Sequence, residues 1–171
     1  MGGISRVVIR DAVPGRDDDD VVRLMGEYMS WAHETLAREY GVQEPPADPA
    51  EIGAHLDGYR HPKGRLLLAE VDGGAVGVGA LRMLDTDIAE VKRMYVDPHW
   101  RRHHVGSAML DALLAEARAR ETRTVRLDTC RFMTSAQALY RSRRFVERQP
   151  YEGTEIPKRL QQHWIFFERD L

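Results

Sequence analysis

The sequence predicts a single α+β domain: a mixed, mostly antiparallel central sheet flanked by helices, with one parallel strand pair. Three observations carry this. Arg65–Val71 and Ala75–Met83 are apolar runs joined by Asp72-Gly73-Gly74, a turn composition that makes an antiparallel hairpin. Ile88–Val96, His104–Arg120 and Thr124–Asp128 read as strand, amphipathic helix and strand, which a right-handed crossover turns into a parallel pair. Helical and strand patterns are interleaved along the whole chain, so helices and sheet pack as layers.

Taken in order, Arg6–Arg10 reads as a first strand. Asp19–Tyr40 carries Val22, Leu24, Met25, Tyr28, Met29, Ala32 and Leu36 at helical spacing. The run Asp17–Asp20 supplies an acidic first turn, where negative charge suits the helix dipole. Gln43–Ala50, with two prolines and two acids, reads as a loop between helices. Pro49–Tyr59 is predicted as a second helix capped by Asp48. The hairpin follows, and then Ile88–Val96, which Pro98 ends. In His104–Arg120, Val105, Met109, Leu110, Leu113, Leu114 and Ala117 form one apolar stripe. Thr124–Asp128 is a strand, and Thr134–Ser142 a short helix with Thr134 or Ser135 as its cap. Phe145–Arg148 and Trp164–Glu168 close the sheet.

The chain has 171 residues, one domain's worth, with 43% hydrophobic and 30% charged residues. That balance excludes wholesale disorder. The formal net charge of −2 excludes the global basic excess of a nucleic-acid binder. No apolar run reaches the roughly 18 residues of a membrane span, and the start MGGISRVVIRD has no signal-peptide core. One cysteine, Cys130, allows no internal disulfide and reads as a buried, inert thiol. These features predict a cytoplasmic protein.

Val91–Leu110, VKRMYVDPHWRRHHVGSAML, is the most informative stretch. A strand runs through a proline turn carrying Arg101, Arg102, His103 and His104 into a helix that opens with Val105, Gly106 and Ser107. Helix-start N–H groups lack intrahelical acceptors and, with the dipole, bind anions. Gly106 lets a phosphate approach the backbone, and Ser107 can donate a hydroxyl. An ordinary strand–helix connection with arginines in water would look similar. His99 and His103 do not suggest metal, because the proline turn breaks helical register between them.

This stretch resembles the acyl-CoA loop of GNAT-type N-acyltransferases, Arg/Gln-x-x-Gly-x-Gly/Ala after a strand ending in Val-x-Pro. Arg101 and Gly106 match its ends; His104 stands where the family prefers glycine, and Arg102 where a further glycine is common. A second match is AQALYRSRRF, where Ala136, Leu139, Tyr140 and Phe145 fit Ala-x-x-Leu-Tyr-x-x-x-Gly-Phe. Arg144 replaces its glycine, and Met133 an asparagine that often helps hold CoA.

The resemblance implies a GNAT-like sheet whose parallel strands splay apart, with the pantetheine arm of acetyl-CoA pairing along Met94, Tyr95 and Val96 like an added strand. It implies pyrophosphate on the N–H groups of Arg101–Gly106, and contacts to acyl-CoA from Ser107, Met133 and Ala136. An acetyl group then passes by direct attack to a primary amine of a small molecule or peptide. An amine of pKa near 10.4 must lose a proton first. Glu90 is the candidate base, directly or through water, and Tyr140 the candidate acid for the departing thiolate. A Glu90–Lys92 surface pair and a core Tyr140 are the plainer readings. Tyr28, Trp31, Tyr151 and Glu152 are candidate acceptor contacts. Trp164, Phe166 and Phe167 read as core and edge packing. A non-catalytic acyl-CoA-binding domain of the same fold is the alternative, and a nucleic-acid module on Arg101–His104 is disfavoured by the charge. A homodimer through an exposed strand edge is compatible with this reading.

Overall fold

The computed structural model describes residues 6–171. Strand β1 (Val7–Asp11) leads to helix α1 (Asp18–Tyr40), helix α2 (Pro49–His55) and strands β2 (Gly64–Val71), β3 (Gly74–Met83) and β4 (Ile88–Val96). Helix α3 (Val105–Ala119), strand β5 (Thr124–Cys130), helix α4 (Thr134–Ser142), strand β6 (Val146–Arg148) and strand β7 (Trp164–Asp170) complete the order. The seven strands form one sheet, β1-β2-β3-β4-β5-β7-β6, in which every neighbouring pair is antiparallel except β4–β5.

Strand alternation divides the core between the two faces of this sheet. On β2, Leu67, Ala69 and Val71 face α3, packing with Met109, Leu110, Leu113 and Leu114. Leu66 and Leu68 face α1 and α2, with Val21, Leu24, Met25 and Ile52. The α3 layer lies close: a Cβ on Gly79 would stand 2.6 Å from Met109 Sδ, so only glycine admits that helix. Among the described residues no helix is long and apolar enough to cross a membrane.

The predicted elements are present, with shifts at their ends. Asp48 caps α2 by accepting the Ala50 N–H at 2.9 Å, as expected. That helix stops at His55 and tightens into a 3-10 turn over Leu56–Tyr59. Asp17 stands at the α1 N-cap but makes no side-chain cap bond there. Its carboxylate instead takes the Val13 N–H at 2.7 Å and the Arg10 guanidinium at 2.6 Å. These donors hold its pKa far below the usual carboxylate range. Phe145, predicted at the start of a strand, precedes β6 and plugs the core.

Candidate functional site

Strands β4 and β5 pair only at Ile88–Thr124, Ala89–Val125 and Glu90–Arg126. Beyond that they diverge, and the gap supplies the site. Strand β4 also carries a bulge: Tyr95 pairs with Val78 and Lys92 with Ala80, leaving Arg93 and Met94 opposite Gly79. Arg93 adopts φ 54° to make the extra step. Side-chain parity flips there. Ala89 and Val91 pack toward α3 before the bulge; Met94 and Val96 do so after it.

One cleft of about 690 Å³ opens on the α3 side of the gap. It is lined by Met94, Tyr95 and Val96 from β4, by Arg101, Arg102, His104, Val105, Gly106 and Ser107 from the turn and α3, and by Met133 and Ala136 at α4. His103 is not part of the lining; its ring packs edge-on against Trp100 at 5.6 Å. The α3 N-terminus has no side-chain cap and no acid in its first turn, so its leading N–H groups stay available to an anion. Arg101 Nε donates to the Val96 carbonyl at 3.2 Å, and its guanidinium lies over the Trp31 ring at 5.1 Å. This holds a fixed positive charge at the mouth of the cleft.

Three positions where the resemblance expects glycine are left-handed here: Arg102 (φ 68°), His104 (φ 60°) and Arg144 (φ 65°). The backbone keeps the shape that glycine would allow, at roughly 1–2 kcal/mol for each side chain. The substitutions therefore leave the loop open rather than closing it.

A second cavity, of about 200 Å³, lies on the α1 side. It meets the first at Tyr28, Met94, Met133 and Ala136, which line both. Met133, buried at this junction, accepts a contact from Thr129 Oγ1 at 3.4 Å through its sulfur. Tyr140 lines the second cavity, its ring held 6.1 Å from Phe145 and 5.9 Å from Phe167. Burial pushes its phenol well above its ordinary pKa.

The floor of this cavity carries charges that the sequence reading did not single out as site residues. Lys92 Nζ lies 3.1 Å from Glu155 Oε2, 3.7 Å from Asp128 Oδ2 and 3.9 Å from Glu90 Oε1. Burial opposes the Lys92 charge, but the Asp128, Glu90 and Glu155 carboxylates outweigh it and lift its pKa. Burial lifts the Asp128 pKa above the carboxylate norm, with Lys92 opposing. Lys92, Arg93 and Asp128 all face the cavity.

Glu90 does not reach it. The residue is 0% exposed; Oε1 accepts from Arg82 Nε and Oε2 from the Tyr151 hydroxyl, both at 2.7 Å. Tyr151 is thereby a buried partner of Glu90 rather than a cavity wall, and Glu152 lies exposed on the following loop. Tyr28 lines both cavities, while Trp31 lines only the first. Cys130 is buried, with its thiol pushed up to about 12. Asp128, on the same face of β5 as Arg126, is the acid at the open end of the splayed pair; no local sequence signal marks it, because only the end of the pairing sets it apart from Glu90.

Comparison with known proteins agrees with this architecture. Residues 28–145 match the model of the acetyltransferase (GNAT) family. The chain is 36% identical over 127 residues to an IAA acetyltransferase of Azospirillum brasilense, covering 72% of this chain and 80% of that one. A GNAT-family acetyltransferase structure from Staphylococcus aureus aligns over 97% of this chain and 99% of its own, with TM-score 0.75 and 19% identity. A ribosomal-protein-alanine N-acetyltransferase structure from Brucella melitensis aligns over 96% and 99%, with TM-score 0.70 and 20% identity. A splayed β4–β5 pair, a cleft at an uncapped helix start and a family match across both make this chain a member of the GNAT family of acetyltransferases.

Proposed function

We propose that the protein is an N-acetyltransferase that moves an acetyl group from acetyl-CoA to a primary amine of a small molecule or peptide. The observation that carries this is the adjacency of a cleft at the α3 N-terminus and a cavity with buried charges, which share Tyr28, Met94, Met133 and Ala136 where β4 and β5 part.

In this reading the pyrophosphate sits on the N–H groups of Val105, Gly106 and Ser107, with Arg101, Arg102 and His104 around it. The pantetheine arm follows Met94–Val96 as an added strand. Its thioester arrives where the bulge turns the β4 backbone, and an N–H there polarises the carbonyl. The acceptor amine enters from the α1 side and attacks directly, without an acyl-enzyme. Tyr140, kept protonated by burial, supplies a hydrogen bond and then its proton to the departing thiolate. Glu90 influences the acceptor at one remove, through Lys92 and the charges it neutralises, since Arg82 and Tyr151 occupy its oxygens.

Calorimetric titration with acetyl-CoA tests the donor half, with CoA and ADP as comparisons. Micromolar binding of the CoA compounds, followed by CoA release on an amine panel, supports the reading. Absence of acetyl-CoA binding overturns it, and binding without turnover leaves an acyl-CoA-binding domain.

A further inference from the structure

Among the described residues, four buried side-chain polar atoms have no hydrogen-bond partner. Two of them, Asp128 Oδ2 and His33 Nδ1, belong to residues lining the same cavity; Arg60 and Thr122, which hold the other two, do not line it. The Asp128 side chain is 8% exposed. Its nearest cation, Lys92, is 3.7 Å away, outside hydrogen-bond range, and is turned toward Glu155. A buried polar atom left unbonded is costly, because it has given up water without gaining a partner. Both residues line one small chamber, which suits a ligand with two polar groups. Lys92, Arg93 and Glu44 also border it, and Met29, Leu36, Leu160 and Trp164 supply apolar wall for the body between those groups.

We infer that Asp128 seats the acceptor's ammonium group and takes its proton, while His33 on α1 holds a second hydrogen-bonding group of the same molecule. The acceptor class is therefore small primary amines with a second polar function. This rests on the acetyl-transfer reading above. Asp128 lies two residues beyond the last β4–β5 pair, on the pleat of Arg126, so the opening gap exposes it to the cavity while Glu90 stays sealed.

The atoms balance. The Asp128 carboxylate removes one proton from the ammonium. The neutral nitrogen attacks the thioester carbonyl carbon, forming the C–N bond. The tetrahedral intermediate collapses, the C–S bond breaks, and the thiolate takes the Tyr140 proton. Tyr140 regains a proton from the nascent amide nitrogen, and Asp128 releases its own to solvent. The charged and titratable groups around Asp128 are Lys92, Glu90 and Arg93 from β4, Cys130 from β5, Tyr151 and Glu155 from the loop after β6, Tyr28 from α1 and Tyr140 from α4. Burial outweighs Lys92 and Arg93, so the base loses activity on acidification at a pH above the ordinary carboxylate range.

The experiment compares wild type, Asp128→Asn, Asp128→Glu and His33→Phe. The probes are two pairs of amines, pentylamine with aminopentanol and phenethylamine with tyramine. CoA release and calorimetric binding of each amine to the CoA-bound protein are measured. Wild type should prefer the hydroxylated member of a pair by about tenfold, one hydrogen bond's worth. His33→Phe should erase that preference. Asp128→Asn should lose about 100-fold in kcat/KM and the acid limb of its pH profile, with unchanged acetyl-CoA affinity. Asp128→Glu should restore part of both. If Asp128→Asn keeps the wild-type rate and acid limb, or His33→Phe keeps the preference, the inference falls. If wild type binds these amines without acetylating any, the acetyl-transfer reading falls and amine binding decides the seat. Weaker binding in Asp128→Asn keeps it; equal binding, or none in wild type, removes it.

Discussion

If the cleft takes the donor and the cavity the acceptor, as proposed, the two halves of the site are built in opposite ways. The donor cleft is made largely of consecutive residues, from Met94 through Ser107, and its central feature is the backbone at a helix start. The acceptor cavity gathers single side chains from β4, β5, α1, α4 and the 3-10 segment Lys158–His163. The first binds with groups that every sequence has, so only the loop's shape must be specified. The second binds with a few charges whose meaning depends on who their neighbours are. Damage to the donor half should therefore be total and local, whereas damage to the acceptor half should be graded and dependent on pH.

The largest expected effect comes from Gly106→Glu. A Cβ there meets Leu139 Cδ2 at 3.6 Å, an ordinary contact, so the fold accepts the change. The added carboxylate then occupies the anion site, and acetyl-CoA affinity by calorimetry should fall by about 100-fold or more. Retained affinity would separate the cleft from CoA binding. Next, Tyr140→Phe keeps the ring contacts and removes only the hydroxyl. Acetyl-CoA binding should hold while turnover falls about 10- to 100-fold. A turnover that stays level across the whole pH range removes Tyr140 from the reaction.

A smaller and more diagnostic change is Lys92→Met. Lys92 is the largest influence holding the Asp128 pKa down against burial. Without it that pKa rises, so the acid limb of kcat/KM should move to higher pH while acetyl-CoA binding stays constant. A limb that stays in place would show that Lys92 and Asp128 do not act together. The smallest effect belongs to Arg144→Gly. Its backbone is left-handed and its side chain is exposed. Relief of that strain, less the added freedom of the unfolded chain, should gain about 0.5–1 kcal/mol. A melting curve should shift upward by about 1–4 °C, with catalysis unchanged.

These contrasts also explain what could be read in advance. The hairpin was legible because Asp72-Gly73-Gly74 lies between two alternating runs. The crossover was legible because α3 carries its apolar stripe in register. The left-handed turn from β4 into α3 was legible because its residues adjoin one another, even with arginine and histidine in place of glycine. What failed to show was depth. Glu90 and Asp128 are both acids on strands that border the gap, and nothing local distinguishes them. Their roles separate only where pairing ends: Glu90 lies at the last bonded step and is sealed by Arg82 and Tyr151, while Asp128 lies past it. The reach of Tyr151 back to Glu90 joins residues 61 positions apart, a contact no spacing rule encodes.

The bulge at Arg93 and Met94 has a consequence for how such a protein can change over time. Because side-chain parity flips there, one strand behaves as two modules joined by a hinge in register. In the proposed reading, Lys92 and Arg93 border the acceptor side, Tyr95 and Val96 the donor side, and Met94 both. A change at Lys92 would then reshape the acceptor wall without replacing any residue that lines the donor cleft.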